Sequence, residues 1–243
     1  KKMEEIKIGL ITDVHSNLPA LEAMLGEFGR RGCDEIIHTG DAIAMGPFPK
    51  ECLDLMYATP NMTMLMGNHE LLYLRGIDNL TVPMHPDEAA HHRQIHKMIG
   101  ESYREKIASW PFRVEKDFFG HRVVFCHYAR INNKFVRPIV NPTVDELDDI
   151  FGYIDAEVIF FGHEHHPLTA MGKKLYVDIG SLGCNHENMA KGTLLTVSGG
   201  GMKIEDVRVP YDKQRLFDAM EARHIERGDF IAREFFGKKT DKV

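Results

Sequence analysis

The stretch VIFFGHEH, residues 158–165, is the part of the sequence that decides the fold. Its first four residues are all apolar, which is typical of a β-strand buried on both faces of a sheet. Gly162 permits a tight turn where the strand leaves the sheet, and His163 and His165 follow at once. Because neutral imidazole nitrogens bind metal ions, the stretch predicts a strand that carries two metal ligands to the edge of a sheet.

Four further stretches repeat this pattern of an apolar run followed by polar side chains that can bind a metal. A His-x-His pair alone is more often an inert surface loop, but five such clusters in one chain indicate a shared site. Open α/β sheets bind ligands outside the carboxyl ends of their strands, where all five clusters are expected. The candidate metal ligands are Asp13, His15, Asp41, Asn68, His127, His163 and His165.

The number of these ligands predicts two metal ions. Two carboxylates, one amide and four imidazoles are too many for a single four-coordinate ion. A pair of ions about 3.5–4 Å apart needs a carboxylate that touches both. Asp41 is the candidate for this bridge, because Gly40 leaves its backbone room. Oxygen and imidazole donors without thiolate favour manganese, iron, zinc or nickel.

Apolar runs alternate with helical patterns along the first part of the chain, which indicates an α/β fold. The strand–helix–strand order implies parallel strands joined by right-handed crossovers. The last three predicted strands are expected to form a second sheet, with a turn at residues 199–201. The predicted strands are residues 6–11, 35–38, 62–66, 123–126, 158–161, 175–179, 192–197 and 202–209.

The length of 243 residues suits one large α/β domain with additions, or at most two small domains. Residues 1–210 are predicted to form this domain, and residues 71–110, where the alternation stops, a helical cap-like insertion. Within the insertion, apolar residues at helical spacing predict one long helix over residues 95–110. Residues 211–243 are predicted to be a C-terminal helical extension of the same domain.

Composition and charge indicate which classes of partner and which cellular compartment to expect. The formal net charge of −6 provides no general basic surface for nucleic acid. No apolar run approaches the length of a membrane span. The four cysteines are scattered and form no CxxC pair, which is typical of free thiols in a reducing compartment. We therefore expect a cytoplasmic protein with no membrane partner, and the sequence gives no strong signal for a nucleic-acid partner.

The order Asp-x-His, Gly-Asp, Gly-Asn-His-Glu, His and Gly-His-x-His resembles the motifs of the calcineurin-like metallophosphoesterases. This resemblance implies a four-layer α/β/β/α sandwich of two mixed sheets. It also implies two divalent transition metal ions, with manganese favoured and iron, zinc or nickel as alternatives. One ion would be held by Asp13, His15, Asp41 and His165, and the other by Asp41, Asn68, His127 and His163.

The same resemblance implies hydrolysis by metal-bound hydroxide that attacks phosphorus in line. His69 would contact the phosphate and act as general acid, so His69 and Asp41 are the catalytic candidates. Glu70, where the family more often has aspartate, is expected to orient His69. The expected substrate contacts are Asn17, Asn68, His69, Tyr128 and Arg130.

Residues 13–18, 46–52 and 178–183 resemble the small bacterial and archaeal phosphodiesterase branch, which is related to diadenosine tetraphosphatases and Ser/Thr phosphatase-like proteins. The expected substrate is a small phosphoester or nucleotide, with diesters favoured over monoesters. Dinucleoside polyphosphates and phosphoproteins are alternatives, and a weakly catalytic partner-binding scaffold is the non-enzymatic one. Residues 128–130 depart from the family pattern, which leaves the substrate open.

Two clusters have more than one interpretation. The histidines of the insertion either line a lid or add a metal, or else form a solvated helix face, which we favour. Residues 71–110 begin directly after Glu70 and could cover one side of the cleft, and Pro83 and Pro86 would stiffen the entry. The aromatic residues near the C-terminus predict helix packing, or a contact in a homo-oligomer. These clusters are His85, His91, His92 and His96, and Phe230, Ile231, Phe235 and Phe236.

Overall fold

The structure, a computed structural model, describes residues 5–80 and 84–239. Two mixed five-stranded sheets pack face to face and helices cover their outer surfaces, which confirms the predicted α/β sandwich of two mixed sheets. The strands are β1 (Glu5–Ile11), β2 (Glu35–His38), β3 (Met62–Met64), β4 (Arg113–Phe118), β5 (His121–Cys126), β6 (Arg130–Ile131), β7 (Lys134–Phe135), β8 (Val158–Phe161), β9 (Leu168–Met171), β10 (Leu175–Asp178), β11 (Met189–Ser198) and β12 (Gly201–Pro210).

The helices of the described ranges are eight α-helices and one 3₁₀ helix at Ile77–Asn79. Three of the α-helices have a proline in their first turn, where the missing N–H has no helical partner to lose. In this part of the chain no helix combines the length and the apolar character that a membrane crossing needs. The α-helices are α1 (Leu18–Arg31), α2 (Pro49–Ala58), α3 (Asn68–Arg75), α4 (Pro86–Ile99), α5 (Arg104–Ala108), α6 (Val144–Phe151), α7 (Lys213–Ala222) and α8 (Gly228–Glu234).

The first sheet has the strand order β12-β11-β1-β2-β3. Strands β1, β2 and β3 are parallel, as predicted, whereas β11 is antiparallel to β1. The prediction that residues 192–197 and 202–209 lie in the second sheet is wrong, because β11 and β12 join the first one. An alternating apolar pattern identifies a strand but not its partner, and here Ser198 pairs with Glu5 from the other end of the chain.

The second sheet has the order β4-β5-β8-β10-β9, with β5, β8 and β10 parallel. Its edge strands β4 and β9 are antiparallel to their neighbours. The sequence did not predict these two strands, because exposed and half-buried residues alternate along them and neither contains an apolar run. The short strands β6 and β7 form a separate hairpin.

The apolar side chains lie in three layers, which together fix the arrangement of the sheets. Between the sheets, Leu10 and Ile37 belong to the same buried cluster as Phe125 and Phe160. Helices α1 and α2 pack on the outer face of the first sheet, and α6 packs on the outer face of the second. Because both faces of each sheet are buried, the central strands are apolar on both sides.

Two helices, α4 and α5, replace the single long helix predicted over residues 95–110. The first ends at Gly100, whose φ of 69° lies in the left-handed region that glycine adopts without strain. Pro86 begins α4, whereas Pro83 lies outside the described residues.

The segment that contains α7 and α8 shares the core of the rest of the chain. Leu216, Met220, Ile231 and Phe236 are buried in the same cluster as Leu21 of α1. The predicted packing role therefore applies to Ile231 and Phe236, whereas Phe230 is 40% exposed.

Candidate metal centre

The candidate ligands come together at one edge of the sandwich, where β1, β2, β5 and β8 end and α3 begins. Most of them have a left-handed backbone, which costs a non-glycine residue free energy and is often concentrated at functional sites. The loops that follow the strands therefore turn sharply and aim side chains back over the strand ends. The candidate ligands with positive φ are Asp13, His15, Asp41, His163 and His165.

One group of ligand atoms consists of a carboxylate oxygen and two imidazole nitrogens. The Nε2 atoms of His15 and His165 lie 3.0 Å apart, and Asp13 Oδ1 is 3.1 Å from His165 Nε2 and 3.4 Å from His15 Nε2. Ligands at right angles around an ion with bonds of about 2.1 Å would be about 3 Å apart. The three atoms therefore have the spacing of ligands that share one ion.

A second group surrounds His127. Its Nε2 lies 2.9 Å from Asn68 Oδ1, 3.0 Å from His163 Nδ1 and 3.2 Å from Asp41 Oδ2. A single imidazole nitrogen carries at most one proton, so it cannot donate a hydrogen bond to all three neighbours. A cation shared by the four atoms satisfies them together, and the residues fit a second metal ion.

Asp41 stands between the two groups. Its carboxylate lies within 4.8 Å of ring nitrogens of His15 and His69 on one side, and of His127 and His163 on the other. A Cβ on Gly67 would lie 2.1 Å from Asp41 Oδ1, so a larger residue at position 67 would displace this carboxylate. The position agrees with the predicted bridging role, which stays a prediction.

Within the cluster, neighbouring carboxylates and imidazoles shift one another's pKa values. Burial by itself lowers the pKa of His127, but the carboxylates of Asp41 and Asp13 outweigh it and raise the pKa to about 9. Burial raises the pKa of Asp41, yet the rings of His127 and His69 bring it below its ordinary value. Without metal, His127 is therefore protonated at neutral pH and paired with an ionised Asp41.

Glu70 does not orient His69 as predicted. Its buried carboxylate accepts hydrogen bonds from backbone N–H groups, those of Gly67 (2.8 Å), Asp41 (2.9 Å), Ala42 (2.8 Å) and Ile43 (3.3 Å). As the third residue of α3, Glu70 turns back toward Gly67 at the start of its own helix, as in a capping box. Burial and the Asp41 carboxylate raise its pKa to about 7, and the N–H groups oppose this.

Gly162 allows the backbone after β8 to pack closely against Thr12 and Asp13, a role that the sequence analysis did not predict. A Cβ at this position would lie 2.2 Å from Thr12 Oγ1 and 2.5 Å from Asp13 Oδ2. The absence of a side chain lets the backbone N–H of His163 donate to Asp13 Oδ2 at 2.9 Å. Gly162 therefore allows β8 to bring its ligands against those of β1.

Helix α4 packs against the catalytic candidate His69. The His92 ring stacks on the His69 ring, with 5.2 Å between centroids and 24° between planes. His91 and His92 are buried, so the predicted solvated helix face is wrong for both, although the His85 side chain is 70% exposed. Burial lowers the pKa of His69 to about 3, against the opposing charge of Asp41.

The other predicted substrate contacts have different environments. Asn17 is fully buried, and its amide bonds the backbone N–H of Ala20 and the hydroxyl of Tyr211. Tyr128 is also buried, and its hydroxyl accepts a hydrogen bond from Ile139 N. The polar atoms of both side chains thus have partners within the protein, and a substrate contact for either of them stays a prediction. Their polar atoms stabilise the start of α1 and the loop after β7.

Arg130 lines a cavity that contains none of the predicted metal ligands. Its guanidinium stacks on Phe112 with Cζ 3.3 Å from the ring centroid, and it donates to the carbonyl oxygen of Asn133 at 2.7 Å. Together with Tyr128 and Tyr153 it lines an open cavity of about 440 Å³. These contacts hold the side chain in place, and a role in binding phosphate stays a prediction.

Cys184 is a candidate that sequence reasoning missed. Its sulfur lies within 4.8 Å of ring nitrogens of His15 and His165, so a thiol borders the predicted oxygen and imidazole ligands. The side chain is buried and Sγ is 3.8 Å from Met45 Sδ. Cys184 directly follows residues 178–183, which indicated the family branch, but nothing in that stretch predicted that the cysteine lies beside the ligands.

The sequence model of the family described as calcineurin-like phosphoesterase matches residues 6–167. The chain therefore belongs to the calcineurin-like phosphoesterase family. Membership implies metal-dependent hydrolysis of phosphoesters and binding of divalent metal ions. The matched range includes every predicted metal ligand from Asp13 to His165.

Three proteins illustrate how far the similarity extends. An uncharacterised protein of Methanocaldococcus jannaschii is 29% identical over 232 residues, covering 89% of this chain and 92% of the relative. The crystal structure of a hypothetical protein from Pyrococcus horikoshii superposes with a TM-score of 0.80 at 19% identity, over 97% of this chain and 100% of that one. A metallophosphoesterase from Sphaerobacter thermophilus gives a TM-score of 0.75 at 21% identity, over 96% and 99%. These two structures share the fold over nearly the whole length.

Proposed function

We propose that this phosphoesterase uses two divalent metal ions to hydrolyse small phosphodiesters or nucleotides. The observation that carries the proposal is the convergence of two groups of ligand atoms, around His127 and around the pair His15–His165, with Asp41 between them. The group around His127 cannot be satisfied by hydrogen bonds alone, which supports cations at this edge of the sandwich.

In the proposed arrangement Asp13, His15 and His165 would hold one ion, Asn68, His127 and His163 would hold the other, and Asp41 would contribute to both. When bound, such a pair lowers the pKa of water and offsets the charge of a phosphoryl group. The imidazole and carboxylate donors suit manganese, iron, zinc or nickel, with manganese our first choice.

His69 is proposed to donate a proton to the leaving oxygen. The ring lies beside Asp41, with His69 Nε2 3.8 Å from Asp41 Oδ2, and its backbone N–H donates to Asp41 Oδ1 at 2.9 Å. Burial disfavours the charged ring, but the negative charge of a bound phosphoester favours protonation. The substrate itself would therefore convert His69 into the acid that its cleavage requires.

We also propose a small-molecule substrate and a cytoplasmic location. The free cysteines of the described residues, three of them buried, agree with a reducing compartment. A homo-oligomer stays a proposal that a measurement of mass in solution can test.

The test is an activity profile of the purified protein combined with elemental analysis. We expect bound transition metal and hydrolysis of cyclic or linear phosphodiesters that exceeds hydrolysis of phosphomonoesters. Preference for dinucleoside polyphosphates or phosphopeptides would replace the diester proposal with one of these alternatives. Protein that binds no transition metal and hydrolyses no member of the panel would be a binding scaffold.

A further inference from the structure

A cavity of about 290 Å³ has His69 in its lining. His91 and His92 of α4 form one wall, and another is formed by Phe230 and Ile231 of α8 with Phe235, which directly follows that helix. We call this space the His69 cavity. Its volume is at the small end of the range of about 300–1,000 Å³ found for small-molecule sites.

Hydrogen bonds between separate segments hold the walls of the His69 cavity in place. His91 Nε2 accepts from the backbone N–H of Met45 at 3.1 Å, and His91 Nδ1 lies 2.9 Å from the carbonyl oxygen of Glu226. The Gln94 amide accepts from Glu226 N at 2.7 Å and donates to the His224 carbonyl oxygen at 2.9 Å. The loop after β2, helix α4 and the entry to α8 are thus fixed relative to one another.

The surface of this cavity is aromatic on two sides and charged at few positions. Imidazole rings face it from α4, and phenyl rings face it from α8 and from the residue that follows α8. Phe230 remains 40% exposed, which leaves apolar area that a ligand can remove from water. Glu88 and Arg227 are the charged residues that line it, and the Arg227 guanidinium lies 4.5 Å from the centroid of the Phe230 ring.

His69 lines this cavity and also borders the metal centre, since one of its ring nitrogens lies within 4.8 Å of ligand atoms of His15 and Asp41. A phosphoester whose phosphate occupies the metal centre would extend one ester substituent past His69. The His69 side chain thus borders both sites, and the cavity is large enough for one ring system and too small for a folded protein surface.

We propose that the His69 cavity binds a planar aromatic substituent of the substrate, such as a nucleobase or an aryl group. Aromatic walls on two sides favour a flat ring, which can stack or pack edge to face. This inference rests on the proposed function, because it takes the phosphate to lie at the metal centre. It adds that the substrates are phosphoesters with an aromatic group close to the phosphorus.

The test uses three phosphonates that cannot be hydrolysed and that differ only in the attached group: benzyl, cyclohexylmethyl and ethyl. Because nothing leaves, differences in leaving-group chemistry do not enter. Inhibition constants are measured on the metal-loaded protein against a chromogenic diester. We expect benzylphosphonate to bind about 10-fold more tightly than ethylphosphonate, with cyclohexylmethylphosphonate in between.

Two variants locate the effect. Phe230→Ala removes a ring from the cavity and should reduce the preference for benzyl over ethyl to below about 3-fold. Phe119→Ala is the matched control, because Phe119 is 42% exposed and lies at the β4–β5 turn, and it should retain the full preference. If Phe230→Ala melts early, Phe230→Leu keeps apolar bulk without the aromatic ring and serves in its place.

Equal binding of the three phosphonates by the wild-type protein would overturn the proposal. So would a benzyl preference that survives loss of the Phe230 ring. A benzyl preference no greater than the cyclohexylmethyl preference would replace the aromatic class with a general apolar one. If no diester is hydrolysed, the proposed function fails, and binding is then read from the thermal shift that each phosphonate causes in the metal-loaded protein.

Discussion

The carboxylate of Glu70 accepts a hydrogen bond from the backbone N–H of Asp41, 2.9 Å away, and so fixes the loop that carries the proposed bridging ligand. The same carboxylate also accepts hydrogen bonds from the backbone N–H groups of Ala42, Ile43 and Gly67, so it holds several residues of the loop in place. The conformation of Asp41 thus depends on a side chain that bonds backbone N–H groups of this loop.

We therefore expect Glu70→Gln to weaken metal binding by about 10–100-fold, the usual cost of losing a partner that orients a ligand. The amide replaces an acceptor oxygen with an NH₂ group that faces backbone donors, so part of the loop loses its support. Metal affinity measured by titration into metal-free protein checks this. Glu105→Gln, an exposed glutamate on α5, is the control. Wild-type affinity in Glu70→Gln would mean that the loop holds its shape without the carboxylate.

Asp41→Asn is expected to remove most of the turnover and to lower the metal content of the purified protein. A neutral amide does not offset the repulsion between two cations about 3.5–4 Å apart. Elemental analysis and rates on a chromogenic diester check both effects. Asp206→Asn, on the exposed side of β12, is the control. Two full equivalents of metal with unchanged rates would rule out Asp41 as the bridge.

His69→Asn is expected to keep both ions and to lose about 10²–10⁴-fold in rate, the usual range for a general acid. The loss should be smaller for nitrophenyl esters, whose leaving group needs less protonation than an alkoxide. Rates on a nitrophenyl and an alkyl diester, with His85→Asn as an exposed control, check this. The same loss for both esters would assign His69 to charge stabilisation.

The raised pKa of His127, about 9 against an ordinary 6.5, predicts how the metal-free protein responds to pH. The charged ring is stabilised in the folded state, so its contribution is complete below pH 6.5 and is lost as the pH rises through 9. The melting temperature of the metal-free protein should therefore fall across this window. Metal must displace the same proton, so apparent metal affinity should rise with pH. His127→Asn should weaken both trends, and a melting temperature that rises with pH would contradict the assignment.

The sequence was most informative where a strand ends. An apolar run reveals a buried strand, and the residues that follow it must lie at the sheet edge, so ligands such as His15 and His165 could be grouped although 150 positions separate them. The pattern of apolar runs does not predict where a side chain in the first turn of a helix points. Glu70 follows His69 directly, yet the geometry of the helix start turns it toward Gly67.

Contacts between distant segments were also beyond the sequence patterns. Cys184 lies in the loop between β10 and β11, and its place beside His15 depends on how this loop connects the two sheets. The walls of the His69 cavity come from α4 and α8, helices more than a hundred positions apart that meet only in the folded chain. The sequence predicted helical structure in both regions, over residues 95–110 and 211–243, but neither the bounds of α4 and α8 nor that these helices face the same space.

Lys213 connects the C-terminal segment to the loop that carries Cys184. The side chain is buried at 5% exposure, and its ammonium donates to the carbonyl oxygens of Asn185 (2.8 Å), Phe236 (2.9 Å) and Glu187. Lys213→Met keeps much of the length but leaves three carbonyl groups without this donor. The Phe236 bond is buried and the other two are partly buried; because a buried acceptor left unpaired costs about 1–3 kcal/mol, we expect the free energy of unfolding to fall by about that amount.

Urea unfolding of the metal-free variant measures this loss, and Lys203→Met, whose side chain is 71% exposed on β12, is the control. Lys213→Arg separates charge from geometry, because a planar guanidinium keeps the charge but cannot direct its donors at the same three oxygens. We expect Lys213→Arg to be destabilised as well. Wild-type stability in Lys213→Met would show that water or a shift of the loop replaces the ammonium, and that the C-terminal helices are held by their apolar contacts alone.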